Sequence, residues 1–184
     1  MRLKFADIPL RFKGAAIGDI TDEANLKVIN DFLWNDEYWR RVDYRHNGNV
    51  GWFDETWRCL VINGPVGTGK THTACAIVNE YCTRANAIYT TAYAMSQRII
   101  KDRDSEYFKG FSLLVIDELG RSFETKAEKD RFFDLINYRY ENLKPVVFLG
   151  NFKLDQLKQA LGEAVADRVG ADMKFITLTG KSRR

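Results

Sequence analysis

Residues Cys59-Leu60-Val61-Ile62 followed, one asparagine later, by Gly64-Pro65-Val66-Gly67-Thr68-Gly69-Lys70-Thr71 decide the fold. The apolar run reads as a buried strand, the eight residues after it fit G-x-x-x-x-G-K-[ST], and a helix-like stretch follows. Strand, glycine-rich loop and helix in that order are the context a P-loop requires. Gly64, Gly67 and Gly69 lack a Cβ, so the backbone can wrap an anion and aim successive N–H groups at it. The helix behind offers its positive dipole end and its unpaired N–H groups to the same anion. Lys70 can reach the β- and γ-phosphates, and the Thr71 hydroxyl can ligate Mg²⁺. The motif therefore predicts a nucleoside triphosphate site. The plain alternative is a glycine-rich βα turn with no ligand.

Outward from this motif, strands and helices alternate. The pattern predicts strand Arg58–Asn63, helix Lys70–Arg84, strand Ala87–Thr91, helix Ala92–Asp102 and strand Phe111–Asp117. Leu113-Leu114-Val115-Ile116 is apolar on both faces, as a central parallel strand must be. Thr125-Lys126-Ala127-Glu128 is a capping box that opens a helix running to about Asn142, with Phe132, Leu135, Ile136 and Tyr140 on its apolar face. Strand Pro145–Leu149, short helices at Asp155–Leu161 and Glu163–Val169, and strand Phe175–Leu178 complete the chain. Before the motif, Met1–Ile20 reads as irregular. Thr21–Val42 has helical periodicity with Leu26, Ile29 and Leu33 on one face, and Tyr44–Thr56 reads as a loop rich in Gly, Asn and aromatics. The fold class expected is α/β: a parallel five-stranded sheet with helices on both faces. Its phosphate site belongs at the carboxyl ends of the strands. Residues 1–57 are expected as a lead-in, a helix and an aromatic-rich insertion packing on a core of residues 58–184.

The whole chain narrows the function classes. Its 184 residues suit one α/β domain with a full core. No apolar run approaches the length of a membrane span, and Met1-Arg2-Leu3-Lys4 is not followed by a signal-peptide core, so a cytoplasmic location without a membrane partner is expected. Cys59, Cys75 and Cys82 form no C-x-x-C pair and read as reduced core thiols. His46 and His72 have no ligand partners at useful spacing, so no zinc site is predicted. A net charge of +3 permits nucleic-acid binding without establishing it.

Asp117-Glu118 ends the Leu113–Ile116 strand and so falls at the same sheet edge as the P-loop. Behind a P-loop, the first carboxylate would hold Mg²⁺ and the second would orient and deprotonate an attacking water. Asn151 follows the Pro145–Leu149 strand and could hydrogen-bond the γ-phosphate or that water; its alternative is a turn residue.

These elements together carry a resemblance. Gly64–Thr71 with His72, Leu113–Gly120, Asn151, and Leu161-Gly162-Glu163-Ala164-Val165-Ala166-Asp167-Arg168 resemble the AAA+ ATPases of the DnaC/IstB-like group, as does the lead-in Ile8-Pro9-Leu10-Arg11-Phe12 with Ala16 and Ile20. The likeness runs from Ile8 to Arg184 except Tyr38–Trp57. It implies an AAA+ core with no full C-terminal helical lid domain. The cofactors would be ATP and Mg²⁺, with Gly64, Pro65, Val66, Gly67, Thr68, Gly69, Lys70, Thr71 and His72 at the nucleotide and Thr71 and Asp117 at the metal. It makes Lys70 and Thr71 part of Walker A, and Asp117 and Glu118 Walker B. Asn151 becomes sensor I, and Arg168 the arginine finger that completes a neighbouring subunit's site; the alternative for Arg168 is a helix-surface arginine paired with Glu163 or Asp167. The family's closing Ser-Tyr-Arg corresponds to Ser182-Arg183-Arg184, which lacks the tyrosine and leaves Arg184 as the counterpart of the sensor II arginine.

The resemblance further implies single-stranded DNA (ssDNA), a replicative helicase and an ATP-dependent ring or spiral of copies as partners. The DNA elements of the family correspond to Ser96–Arg103 and Arg121-Ser122-Phe123. Arg98, Lys101, Arg103 and Arg121 would meet phosphates and Phe123 would stack on a base; the alternative is an ordinary solvated face diluted by Asp102, Asp104 and Glu106. Two departures stand out. The chain begins almost at the ATPase core, where loaders of this group carry an extra helicase-gripping region. The Tyr38–Trp57 segment is longer and more aromatic than its counterpart, and could anchor a partner or pack as a flap. The function expected is a phage- or mobile-element-type helicase loader that hydrolyses ATP. A transposition helper acting on duplex DNA and a non-hydrolysing nucleotide-dependent adaptor remain the alternatives.

Overall fold

The chain is described by a computed structural model for residues 8–34, 43–46, 49–52, 58–101, 104, 106–119, 125–152 and 154–179. Two short 3₁₀ turns, Leu10–Phe12 and Ile17–Asp19, precede helix α1 (Glu23–Trp34). A hairpin of β1 (Asp43–His46) and β2 (Asn49–Trp52) follows. The core then alternates β3 (Cys59–Asn63), α2 (Lys70–Tyr81), β4 (Ala87–Thr91), α3 (Ala92–Lys101), α4 (Glu106–Lys109) and β5 (Leu113–Asp117). It closes with α5 (Lys126–Glu141), β6 (Val146–Gly150), α6 (Leu154–Leu161), α7 (Glu163–Asp172) and β7 (Met173–Thr177).

Five strands form one parallel sheet in the order β4-β5-β6-β3-β7. Strands β3, β5 and β6 are apolar along both faces because each face is covered. Leu60 and Ile62 of β3 face Ile29 and Phe32 of α1 and Ala74 and Ile77 of α2. Cys59 and Val61 point the opposite way, toward Met95, Phe108, Phe132 and Leu157 from α3 to α6. Ile8 and Ala15 of the lead-in join the first of these cores. The predicted α/β layering is therefore the observed one, and the three cysteines are buried and unbridged.

Several local expectations are corrected. Within Tyr44–Thr56, read as a loop, β1 and β2 pair antiparallel, with Arg45 opposite Val50 and His46 opposite Asn49. The two residues between the last paired positions are Asn47 and Gly48, a dipeptide that favours two-residue hairpin connections. Of the helix expected over Thr21–Val42, Glu23–Trp34 is helical and 35–42 lie outside the described residues. Its core face carries Asn25, Ile29, Phe32 and Leu33, while Leu26 is only half-buried. Helix α2 stops at Tyr81, where hydrogen-bonded turns carry the chain to Ala85 instead of a further helical turn. The last strand is Met173–Thr177, beginning two residues and ending one residue earlier than read; α7 runs on to Asp172 and passes directly into it.

The face of α5 holds the clearest surprise. Phe132, Leu135 and Ile136 are buried as read, but Tyr140 is 36% exposed and Arg139 is fully buried in its stead. Arg139 is the i+7 position from Phe132 and Tyr140 the i+8, at the rim of the stripe. The Arg139 guanidinium donates to the carbonyls of Phe108, Phe111, Ser112 and Pro145 at 2.7–3.0 Å. Those oxygens belong to α4 and the segments entering β5 and β6, and the Pro145 carbonyl also accepts from the Leu114 N–H at 3.3 Å. Burial pushes the guanidinium down to about 9, so it stays charged at neutral pH. Arg139→Met removes all four of these charge-assisted bonds and is expected to cost about 3 kcal/mol or more in urea unfolding. Because the contact lies at the edge where β5 and β6 begin, nucleotide affinity of the folded variant should stay within about twofold, a factor equal to only a few tenths of a kcal/mol.

Candidate nucleotide site

At the opposite edge, the chain leaves β3 through Gly64 (φ +150°), Gly67 (+87°) and Gly69 (+98°) before entering α2. Only glycine takes such values without strain. Gly64 is doubly constrained, because a Cβ there would lie 2.4 Å from the Leu178 carbonyl oxygen. The Leu178 N–H donates to Asn63 O at 2.8 Å, so the strand after α7 clamps the base of the loop. Gly69 supplies no capping side chain to α2, which leaves first-turn N–H groups for an anion. The Thr68 hydroxyl donates to Pro65 O at 2.9 Å and braces the loop from within. Lys70 Nζ donates to Gly64 O at 2.6 Å and Pro65 O at 2.7 Å, which sets the ammonium across the loop. Partial burial lowers its pKa, and the nearby Asp117 charge opposes that shift.

Asp117 ends β5 and is only 6% exposed. Its carboxylate is held by three donors. Thr71 Oγ1 donates to Oδ2 at 2.9 Å, Tyr89 Oη to the same oxygen at 2.7 Å, and the Glu118 N–H to Oδ1 at 2.7 Å. Sheet parity explains the convergence. Ala87 and Tyr89 of β4 and Leu113 and Val115 of β5 point to the α2 side of the sheet, and Asp117 continues that alternation. Thr71 opens α2 on the same side. A hydroxyl and a carboxylate oxygen so close together form an all-oxygen pair of the kind hard divalent cations prefer. These two residues fit the Mg²⁺ role expected of them.

Glu118 has φ +57°, a left-handed value uncommon for a residue with a side chain. Its N–H is captured by the preceding carboxylate and Leu119 is buried against the second core, so the turn sends Glu118 outward into solvent. Such strain persists where the surroundings over-determine it, often at functional sites.

Lys70, Thr71, His72, Asp117, Glu118 and Asn151 line one open cleft of about 1280 Å³, roomy enough for a nucleotide. The structure thus brings together the P-loop, the acidic pair and Asn151. Asn151 is exposed at the end of β6, beside Phe152, whose N–H donates to Asn63 Oδ1 at 3.0 Å. Arg168 lies on α7, but its side chain is outside the described residues. The same holds for the side chain of Lys101, and Arg103, Arg121, Phe123 and Arg184 fall outside altogether. Arg98 sits 3.2 Å from Asp104 and over the Tyr107 ring, so its guanidinium is held within the chain.

Four features of the site are absent from the sequence reading. Tyr89, which touches Asp117 rather than lining the cleft, is one, and a tyrosine inside a strand gives no signal of it in the chain. The lead-in forms a wall, where Asp19 lies 3.2 Å from His72 and Phe12 meets the His72 ring edge-on. Asn25 of α1 lines the same side and donates to Thr177 O. Lys129, Gln156 and Gln159 line the far side. Those contacts join segments distant in sequence, and no local motif marks them.

Comparison with known proteins identifies the family and agrees with the fold. The model of the IstB-like ATP binding protein family matches residues 47–184. The chain belongs to that family. It is 32% identical over 127 residues to the replicative helicase loader DnaC of Escherichia coli K12, a match covering 64% of this chain and 52% of the loader. With the DnaC of Buchnera aphidicola subsp. Baizongia pistaciae it shares 29% over 138 residues, covering 69% of this chain and 54% of the relative. The chain thus spans about half the length of the curated relatives it matches. A crystal structure of the DnaC helicase loader superposes with a TM-score of 0.73 at 20% identity, covering 93% of this chain and all of that one. A structure of the replication initiator DnaA bound to AMPPCP and single-stranded DNA gives 0.71 at 16% identity, covering 95% and 51%. The fold is therefore the AAA+ form of the P-loop architecture. Among the described residues no helix is long and apolar enough to cross a membrane.

The Gly64 geometry carries its own test. Gly64→Ala adds a Cβ against Leu178 O at a glycine-only φ and is expected to cost about 2 kcal/mol or more. If that strain opens the loop, affinity for a fluorescent ATP analogue falls about tenfold or more. Urea unfolding and equilibrium titration measure the two effects separately.

Proposed function

We propose that this chain is an ATP-hydrolysing, helicase-loader-type AAA+ protein that binds ssDNA and a replicative helicase in self-assembled rings or spirals. The observation that carries the ATPase part is the contact of Thr71 with Asp117, beside Lys70 and a solvent-facing Glu118. The likeness to DnaC loaders supports the replication role.

In this reading the P-loop N–H groups and Lys70 bind the phosphates. Thr71 and Asp117 hold Mg²⁺, which when bound neutralises charge on the β- and γ-phosphates. Glu118 accepts a proton from the attacking water, and Asn151 hydrogen-bonds the γ-phosphate or that water. Arg168 reaches into the neighbouring copy and stabilises charge on the transferring phosphoryl group, an effect on the order of 10³–10⁵ in other phosphoryl-transfer enzymes. Arg184 is the sensor II candidate. Lys101, Arg103 and Arg121 contact DNA phosphates and Phe123 stacks on a base, while Arg98, paired with Asp104, is the least available of that group.

The roles at the phosphates separate on substitution. Lys70→Ala removes the charge that meets the phosphates, and ATP binding is lost. Glu118→Gln keeps binding but cannot take the water's proton, so turnover falls on the order of 10²-fold or more. Equal loss of affinity in both variants contradicts the assignment. Fluorescent-nucleotide titration and phosphate release read the two quantities.

The family match favours a second reading, a transposition helper acting on duplex DNA. Fluorescence anisotropy with single- and double-stranded oligonucleotides over a salt series decides between them. A loader binds the single strand more tightly, with each phosphate contact contributing about −0.7 to the slope of log affinity against log salt. Replacing Lys101 and Arg103 by Ala then flattens that slope by about 1.4. Preference for duplex supports the helper, and binding indifferent to these residues leaves an ATPase directed at protein partners.

A further inference from the structure

Tyr89 is a residue that no motif of the P-loop, the acidic pair or the strand after them includes. It lies inside β4, is 5% exposed, and donates its hydroxyl to Asp117 Oδ2 at 2.7 Å. That oxygen also accepts from Thr71 Oγ1, while Oδ1 accepts from the Glu118 N–H. A carboxylate offers about four lone-pair sites. Three are filled by groups from α2, β4 and the following residue, so the carboxylate plane can neither swing nor rotate without breaking a charge-assisted bond. The remaining lone-pair site is the one through which Asp117 can meet a metal or its water.

We propose that Tyr89 is a positioning residue for Mg²⁺: its hydroxyl holds Asp117 in the orientation that the metal of a bound nucleotide requires. This rests on the ATP–Mg²⁺ reading given above. Tyr89 touches neither metal nor nucleotide in this scheme and acts only through Asp117. Partners that orient a metal-binding carboxylate are worth about 10–100-fold in metal affinity or activity. The phenyl ring of a Tyr89→Phe variant keeps the packing against the α2 side of the sheet and loses only the donor.

The test is a titration of a fluorescent ATP analogue into wild type and Tyr89→Phe, first in EDTA and then over a Mg²⁺ series. The metal-free affinity should match that of wild type, because the P-loop and Lys70 are untouched. The Mg²⁺ concentration giving half of the metal-dependent signal should rise about tenfold or more. Thr90→Val, altered at the next strand position and so on the opposite face of the sheet, controls for lost stability and should leave that midpoint unchanged. A wild-type midpoint retained by Tyr89→Phe overturns the positioning role while the Mg²⁺ reading stands. A shift of the same size in Thr90→Val overturns it too, since general loosening then accounts for the effect. Wild-type binding that ignores Mg²⁺ at every concentration overturns the ATP–Mg²⁺ reading and this proposal with it.

Discussion

A carboxylate buried at the end of a central strand is the constraint on which the nucleotide site depends. Taking an ion out of water costs several kcal/mol unless its lone pairs are met by good donors. Asp117 meets this requirement with donors from α2, from β4 and from its own following residue. Those bonds oblige the start of α2 to sit beside β5, although β6 separates β5 from the P-loop strand β3. The Thr71 that closes the P-loop and the carboxylate that would share a metal with it are thereby brought together through the sheet rather than along the chain. The strained Glu118 backbone follows from the same carboxylate, which takes the N–H that a relaxed turn would use elsewhere.

The sheet divides its labour between two edges. Where β5 and β6 begin, a buried cation, Arg139, gathers four carbonyls and closes the entry of both strands. Where the strands end, a buried anion gathers donors. The two charges belong to different tasks. Carbonyl oxygens left by chain entries are met by the guanidinium, and this is a matter of stability. Donors around a carboxylate hold an acceptor in a fixed direction, which matters for binding a cation. This arrangement also places catalytic candidates on turns at strand ends, supported by strands whose side chains are locked in two apolar layers.

The segment preceding the core has a structural part beyond leading into it. Ile8 and Ala15 join the core shared by α1 and α2, and Lys174 of β7 pairs with Asp31 of α1. Arg58, just before β3, donates to Phe32 O of α1 and stands over the Phe32 ring. The lead-in is thereby held at the mouth of the cleft, where Phe12 and Asp19 meet His72. Phe12 and Asp19 of that wall lie more than forty positions before the P-loop. Nothing in their local pattern distinguishes them from a surface turn.

The P-loop, the acidic pair, Asn151 and the α/β alternation were legible in the chain because each is a local event. A glycine forced to positive φ, a capping box or a strand apolar on both faces leaves its mark within a few residues. The pairing of β1 with β2 was not read, because the Gly, Asn and aromatics of Tyr44–Thr56 pointed instead to a loop. Arg139 and Tyr89 were not legible. An arginine on a helix stripe and a tyrosine in a strand are ordinary in sequence, and only the packing of α5 against the entries of β5 and β6, and of β4 beside β5, gave them their partners. Sequence by itself determined which groups could bind a phosphate and a cation, because that chemistry follows from residue type and short spacing. Tertiary structure alone decided how the carboxylate is oriented and what walls the cleft, because those bonds join residues tens of positions apart, through a sheet order that no single segment encodes.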